Sequence, residues 1–291
     1  MLSIIIPAYN SNCNLKRLLP LIDNKELYEV VIVDDHGQEL VEEVVESSQN
    51  NIVVKRLDSN MGAGMARNIG LALATRDYVA FFDADDIVDE TVLSSLLYSI
   101  LESNCDNDIH FFSPNSHKPD GSKGSRNSRY SRLVSSYIHD GSEAIRYRFH
   151  VPWSKIYKRE FITKNNLFFD SVSASNDVMF SLKAGIKARS ISVSEQSYYS
   201  VQEHNSGLTG NDSISRLHDR LSVATRYNEK LVDIGQSGYR VSIVPLFFRL
   251  FKIDVGSFFI YLMSSKYSLC RDVIPSYISV VKICRSLFYR D

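Results

Sequence analysis

No pair of cysteines in this chain is close enough in sequence to form a C-x-x-C. The four, Cys13, Cys105, Cys270 and Cys284, are scattered, which argues against a zinc knuckle or a disulfide framework and suits a reducing cytosol. The apolar start at residues 1–6 has no basic flank and is cut by Pro7, so it does not read as a signal peptide. No apolar run reaches the roughly 18 residues a membrane-spanning helix needs; residues 241–263 come nearest and are interrupted by Arg249, Lys252 and Asp254. An excess of either charge is missing too: the formal net charge is −1, so composition gives no polyanion-binding signal and no nucleic-acid partner is expected. Tryptophan occurs once, as Trp153.

What is present is an ordinary globular composition of 44% apolar and 23% charged residues over 291 positions. The charge is unevenly placed. Residues 214–291 carry 12 Lys/Arg against 6 Asp/Glu, a net of +6, leaving the first 213 residues at −7. Such asymmetry suits a surface that faces phosphates or anionic lipid.

Apolar, β-branched segments at residues 3–7, 28–33, 52–57 and 78–82 alternate with helical patterns at 15–22, 38–48, 65–74 and 90–101. Four alternations with short loops predict an α/β fold with a parallel sheet flanked by helices. In such a sheet ligands bind at the carboxyl ends of the strands. The polar clusters Tyr9-Asn10, Asp34-Asp35, 60–64 and 83–86 all fall at those ends. The last is the most telling, with three carboxylates in four residues, Asp83, Asp85 and Asp86, directly after an apolar strand. Unpaired carboxylates are costly to bury, so the cluster belongs in water or on a cation. A D-x-D there can hold a divalent ion and leave coordination sites for a diphosphate. The competing reading is a solvated turn that caps the helix following it. Gly62 and Gly64 mark a turn into a helix without forming a full dinucleotide fingerprint. Residues 113–132, rich in Ser, Gly, Asn, Lys and Arg, read as a mobile loop.

Taken in order, Ile4-Ile5-Ile6-Pro7-Ala8-Tyr9-Asn10, Val31-Ile32-Val33-Asp34-Asp35, the block from Asn60 to Gly70 containing Ala66-Arg67-Asn68, and Phe82-Asp83-Ala84-Asp85-Asp86 resemble the nucleotide-binding half of the family 2 glycosyltransferases, which have the GT-A fold. Pro152-Trp153-Ser154-Lys155, Phe168 and Asn176-Asp177-Val178-Met179-Phe180 resemble the family's acceptor half. Length and style are similar to bacterial enzymes that build capsule or O-antigen repeat units.

The resemblance implies a domain at 1–212, divided into a nucleotide half (1–101) and an acceptor half (102–212), with a helical, aromatic and basic extension at 213–291. It implies inverting transfer of a sugar from a nucleotide diphosphate donor, with a UDP-sugar favoured, to a saccharide or lipid-diphosphate-linked saccharide. Pro7, Tyr9, Asn10, Asp35, Gly64, Arg67, Asp83 and Ala84 match donor-binding positions. Asp83 and Asp85 match the D-x-D that binds Mn²⁺ or Mg²⁺. Asp177 matches the general base, although Asn176 stands where the family often has a glutamate. Trp153 and Asn176 are assigned to the acceptor or the diphosphate. The segment from Tyr198 to Thr209 resembles one that closes on the diphosphate; the arginine expected there is absent, and His204 or Ser206 would substitute. A cytoplasmic enzyme is implied, with the extension on the inner face of the membrane; a helical cover over the sheet, or a contact with a second copy in a homo-oligomer, is the alternative use of that extension. Two other readings of the whole remain: a catalytically silent sugar-nucleotide-binding or assembly protein, favoured by Asn176, and a sugar nucleotidyltransferase, disfavoured because Pro7-Ala8-Tyr9-Asn10 is not a Gly-rich phosphate loop.

Overall fold

A computed structural model describes residues 1–45, 51–103, 106–203 and 213–256. The chain divides into two compact units, one of Met1–Val172 with Asn176–Leu208, the other of Ser173–Ser175 with Thr209–Asp291.

The first unit is built on a seven-stranded sheet. Its strands β1 (Leu2–Ala8), β2 (Tyr28–Asp34), β3 (Ile52–Arg56) and β4 (Tyr78–Phe81) run parallel in the spatial order β3-β2-β1-β4. Strands β6 (Ile109–Phe112), β8 (Lys155–Lys158) and β9 (Ile191–Ser194) continue it as β4-β8-β6-β9; β8 runs antiparallel to both its neighbours, and β9 is parallel to β6. The expected mostly parallel sheet with flanking helices is what forms. Strands β1 and β2 are almost wholly buried because apolar side chains point to both faces, as a strand covered on both sides requires. A core cluster on one face contains Ile4, Ile6, Leu93 and Phe82; one on the other contains Ile5, Val31, Phe81 and Phe180. A small second sheet sets β10 (Tyr199–Gln202) between β5 (Ile87–Val88), antiparallel, and β7 (Asn115–His117), parallel.

Several segments differ from their sequence pattern; of the helix expected at 38–48 the described residues form only Glu42–Val45. Helix α3 runs Gly62–Leu73, three residues earlier than the apolar spacing suggests, because a distant carboxylate satisfies the amides at its start (below). The 113–132 stretch holds β7 and the start of helix α5 (Ser128–Asp140), and its middle is pinned rather than loose. One Glu203 oxygen accepts from the Ser116 hydroxyl (2.6 Å) and the backbone N–H groups of Ser125 (2.6 Å) and Arg126 (2.7 Å). Those three donors, the Ser116 hydroxyl foremost, hold the Glu203 carboxyl down at about 2. Tyr198 and Tyr199, expected in a flexible segment, are fully buried at and just before the start of β10.

In the second unit, α9 (Ile214–Asp233) and α10 (Val244–Ile253) pack Leu217 and Leu221 against Ile243, Phe247 and Leu250. Ser213 caps α9 by accepting the Arg216 N–H. The Asp219 carboxylate accepts from both the N–H and the hydroxyl of Ser173. Within the Phe247-Phe248-Arg249-Leu250-Phe251-Lys252 stretch, Phe247 and Leu250 belong to this core, which leaves Phe251 as the more exposed aromatic. Among the described residues no helix is long and apolar enough to cross a membrane.

Candidate active site

Four strand ends of the first unit carry the site. After β1 the chain turns at Asn10, whose φ of +47° is a left-handed value that asparagine tolerates better than most residues. Its side-chain oxygen accepts the N–H groups of Gln38 (2.5 Å) and Glu39 (3.4 Å), tying the β1 end to the β2 end. Gly37 must be glycine here: a Cβ would lie 2.7 Å from that same Asn10 oxygen and 2.8 Å from the Asn10 nitrogen. Pro7 is half-buried and paired with Val33, and the neighbouring Tyr9 is 54% exposed at the strand ends.

Both aspartates after β2 are buried and engaged. Asp34 accepts the Gly37 N–H (3.0 Å) and pairs with the Arg56 guanidinium. Asp35 accepts the N–H groups of Met61 (2.6 Å) and Gly62 (2.8 Å), one on each oxygen. It thus caps α3 from 26 residues away, satisfying amides that have no partner within the helix.

The helix so begun carries Gly64 and Arg67 to the next layer. A Cβ on Gly64 would stand 2.4 Å from the Asp170 carbonyl oxygen and 3.0 Å from the Asn176 Cβ. That glycine therefore serves the close approach of the acceptor-half chain. Arg67, 6% exposed, donates to the Asn176 side-chain oxygen (3.1 Å) and to the Asp83 carboxylate (2.5 Å), with its guanidinium 5.5 Å from the Phe169 ring centroid. Beside it, Asn68 clasps Phe169, donating to its carbonyl (3.0 Å) and accepting its N–H (2.8 Å). Arg67 therefore joins the D-x-D turn to the Asn176-Asp177 block.

The three acidic residues after β4 are not equivalent. Asp83 and Asp85 are half-buried, Ala84 packs its methyl into the core, and Asp86 turns inward, 6% exposed. Asp86 accepts the Tyr199 hydroxyl (2.7 Å) and the Gln202 N–H (2.9 Å). Burial, then the charges of Asp83 and Asp85, pushes its carboxyl well above the usual range.

Asp177 sits at the N-cap of helix α8 (Val178–Lys187) without spending its carboxylate on the cap. Burial raises its carboxyl above the ordinary carboxylate value, against the opposing pull of Arg67. A raised, deprotonatable carboxyl suits a group that must take up a proton.

The structure thus brings Arg67, Asp83, Asn176 and Asp177 together through Arg67. Pro7, Tyr9, Asn10 and Asp35 lie at the neighbouring strand ends. Trp153 departs from the expectation. It is 4% exposed; one face stacks on Tyr199 (5.7 Å, 10° between planes) and Tyr130 stands edge-on to it (5.1 Å, 76°). With a face covered by tyrosine it packs as a core residue. His204 and Ser206 lie outside the described residues. Sequence reasoning gave Asn68 no role in the site, placed Tyr199 only within the segment that resembles one closing on the diphosphate, and quoted Lys155 without a role. Lys155 is 1% exposed, donates to the Phe149 carbonyl (2.7 Å) and lies 4.7 Å from that ring's centroid. Burial lowers its ammonium well below the usual value, opposed by the Asp177 charge. The only signal for it in the sequence is a lysine directly before the apolar pair Ile156-Tyr157.

Comparison with known proteins identifies the family and the fold. The family model described as glycosyl transferase family 2 matches residues 3–165. The chain is 28% identical over 248 residues to the uncharacterized glycosyltransferase YibD of Escherichia coli, covering 80% of this chain and 68% of that protein. It is 28% identical over 206 residues to the poly(ribitol-phosphate) β-N-acetylglucosaminyltransferase TarS of Staphylococcus aureus, covering 68% of this chain but only 35% of TarS. The crystal structure of S. aureus TarS residues 1–349 with UDP-GlcNAc superposes with a TM-score of 0.67 at 20% identity, covering 94% of this chain and 78% of that one. With more than half its length matched by the family model, the chain belongs to glycosyl transferase family 2, a nucleotide-sugar glycosyltransferase of GT-A fold.

Proposed function

We propose that this enzyme transfers a sugar with inversion from a UDP-sugar to a hydroxyl of a saccharide, in the assembly of a bacterial surface polysaccharide. The observation that carries the proposal is the Arg67 bridge, which puts the D-x-D turn and the Asn176-Asp177 block within one guanidinium's reach. One side of the bridge suits a donor diphosphate and the other an acceptor. In this reading the Asp177 carboxylate takes the acceptor's hydroxyl proton as that oxygen bonds to the anomeric carbon. The bond from that carbon to the diphosphate oxygen breaks, and the nucleoside diphosphate leaves. Arg67 orients Asp83 and keeps a positive charge beside Asp177, and Tyr9 is placed to flank the nucleotide. Asn176, neutral where relatives often carry glutamate, leaves Asp177 as the one carboxylate of its block. A polymeric acceptor is suggested by TarS, whose name specifies poly(ribitol-phosphate), and a UDP-sugar donor by its structure, which holds UDP-GlcNAc.

A divalent cation fits the turn. Asp83 and Asp85 offer hard oxygen donors at half-buried positions, and their charges crowd a third, buried carboxyl. Among the described residues no three His, Cys, Asp or Glu side chains form a complete metal cage. Asp83 and Asp85 would therefore hold Mn²⁺ or Mg²⁺ together with donor diphosphate oxygens. When bound, the ion supplies positive charge against the leaving diphosphate.

We further propose that 1–212 carries the catalysis and that 213–291 serves attachment at the inner face of the cytoplasmic membrane, where a lipid-linked acceptor would be presented. The net +6 of residues 214–291 supports that reading, at about 1 kcal/mol per basic residue near an anionic surface. Flotation with anionic vesicles at low and high salt tests the attachment. The central experiment is a thermal-shift panel of UDP-, GDP-, CMP- and dTDP-sugars with and without Mn²⁺. A UDP-sugar that raises the melting temperature only with Mn²⁺ is the expected result. A shift by another nucleotide's sugar alone would reassign the donor, and the absence of any shift would leave the silent binding protein without support as well.

A further inference from the structure

We infer that Tyr199, acting with Asp86, is a positioning residue that fixes the D-x-D turn from beneath. The inference rests on the reading of Asp83 and Asp85 as the cation-holding carboxylates. A single phenol spans the turn: the Tyr199 oxygen accepts the backbone N–H of Asp83 (2.9 Å) and its hydroxyl donates to Asp86 (2.7 Å). The first and last residues of Asp83–Ala84–Asp85–Asp86 are thereby held to one atom. The other Asp86 oxygen accepts the Gln202 N–H (2.9 Å). Beyond the turn, β5 is stitched to β10 through Ile87 with Ser200 and Val88 with Tyr199, and the Asp89 N–H donates to the Tyr198 carbonyl (2.8 Å). The Tyr199 ring itself cannot swing. It is 0% exposed, lying between Phe82 (5.3 Å, 61°) and Trp153 (5.7 Å, 10°).

This arrangement assigns three roles to three neighbouring carboxylates. Asp86 is spent on internal donors, so it is a strut; Asp83, paired with Arg67, and Asp85 carry the cation role in the proposed reading. A cation site tolerates little error in the spacing of its oxygens, and a turn of polar residues at a strand end would otherwise be free to relax. The chain's only tryptophan then has a use after all: it stiffens Tyr199, and acts on the site at second hand.

Tyr199→Phe isolates the hydroxyl, since the ring and its stacking partners are kept and no charge near the turn is altered. Mn²⁺ is titrated calorimetrically into the full chain in the presence of UDP, and KM and kcat are measured in parallel. We expect Mn²⁺ to bind about tenfold more weakly, with KM for the donor rising and kcat falling far less, while circular dichroism stays that of the parent. Unchanged Mn²⁺ affinity overturns the inference, even if the melting temperature falls, because a merely structural hydroxyl would cost stability alone. Should Tyr199→Phe fail to fold, Asp86→Asn replaces it and must weaken Mn²⁺ binding in the same direction. If the parent binds UDP with no dependence on Mn²⁺, the cation reading itself falls. The inference then stands only if Tyr199→Phe lowers the affinity for UDP.

Discussion

The loop after β2 and the turn after β4 are alike on paper and opposite in use. Each follows a buried apolar strand, each opens on aspartates, and each lies at the carboxyl edge of the same parallel sheet. After β2 both carboxylates are buried and saturated: Asp34 by Gly37 and Arg56, Asp35 by the amides that open α3. After β4 Asp86 accepts two internal donors, Asp83 pairs with Arg67 at a half-buried position, and Asp85 is half-buried beside them. A carboxylate that satisfies backbone donors adds to stability, because an orphaned amide costs free energy. A carboxylate crowded by others of its charge, or desolvated without a full set of donors, detracts from it and is retained for what it binds. In the proposed reading the first loop is frame and the second is site, and substitutions should separate them.

The largest expected effect is on the site side. Asp85→Ala should abolish Mn²⁺-dependent turnover while leaving the melting temperature within about a degree of the parent, as a surface substitution does. Full activity of that variant in Mn²⁺-supplemented buffer would remove Asp85 from the site. Next comes Asp177→Asn, which should lower kcat by about 10²–10⁴-fold, the usual worth of a general base, with UDP-sugar binding retained in a thermal-shift assay. If Asn176→Ala proved the more damaging of the two, the base would have to be reassigned.

On the frame side the effect should appear as stability. Asp35→Ala strands the Met61 and Gly62 amides and should cost about 1–3 kcal/mol in a denaturant titration, whatever it does to donor binding. An equal loss of stability in Asp85→Ala would erase the distinction between the two loops.

The smallest effect has the opposite sign. Burial raises the Asp177 carboxyl in the folded state, so folding favours its protonated form. Stability from this group is therefore present below the unfolded carboxylate value and is lost as pH rises through the raised one. Asp177→Asn should accordingly be more stable than the parent at neutral pH, and the gain should vanish toward pH 4. Calorimetric melting across that range decides it, and a variant less stable than the parent at pH 7 would place Asp177 among the frame carboxylates. His110 provides an internal control. It is 3% exposed and burial lowers its imidazole to about 4, so both parent and variant should lose stability from about pH 6.5 downward.

Much of this was legible in the chain. Four apolar segments, each ending in polar residues, are local facts of sequence, and strand period together with the cost of burying carboxylates places those residues at one edge of a parallel sheet. Arg67 and Asp83 stand out within their own short blocks. What could not be read is which partner each group finds. Arg67 meets residues 16 and 109 positions away, and Asp35 reaches a helix 26 positions on. Trp153 stands in a block that suggests an acceptor platform, yet rings from α5 and β10 cover it.

The sequence by itself determined the sheet, the edge at which the chemistry lies and the residue types collected there, because periodicity and desolvation act on neighbours along the chain. Only the tertiary structure decided which donors each aspartate accepts, why Gly64 has no side chain, and that a tyrosine from β10 braces the turn after the fourth strand. Those outcomes depend on hydrogen-bond donors and packed surfaces contributed from far along the chain, and a carboxylate's role is set by the donors that reach it.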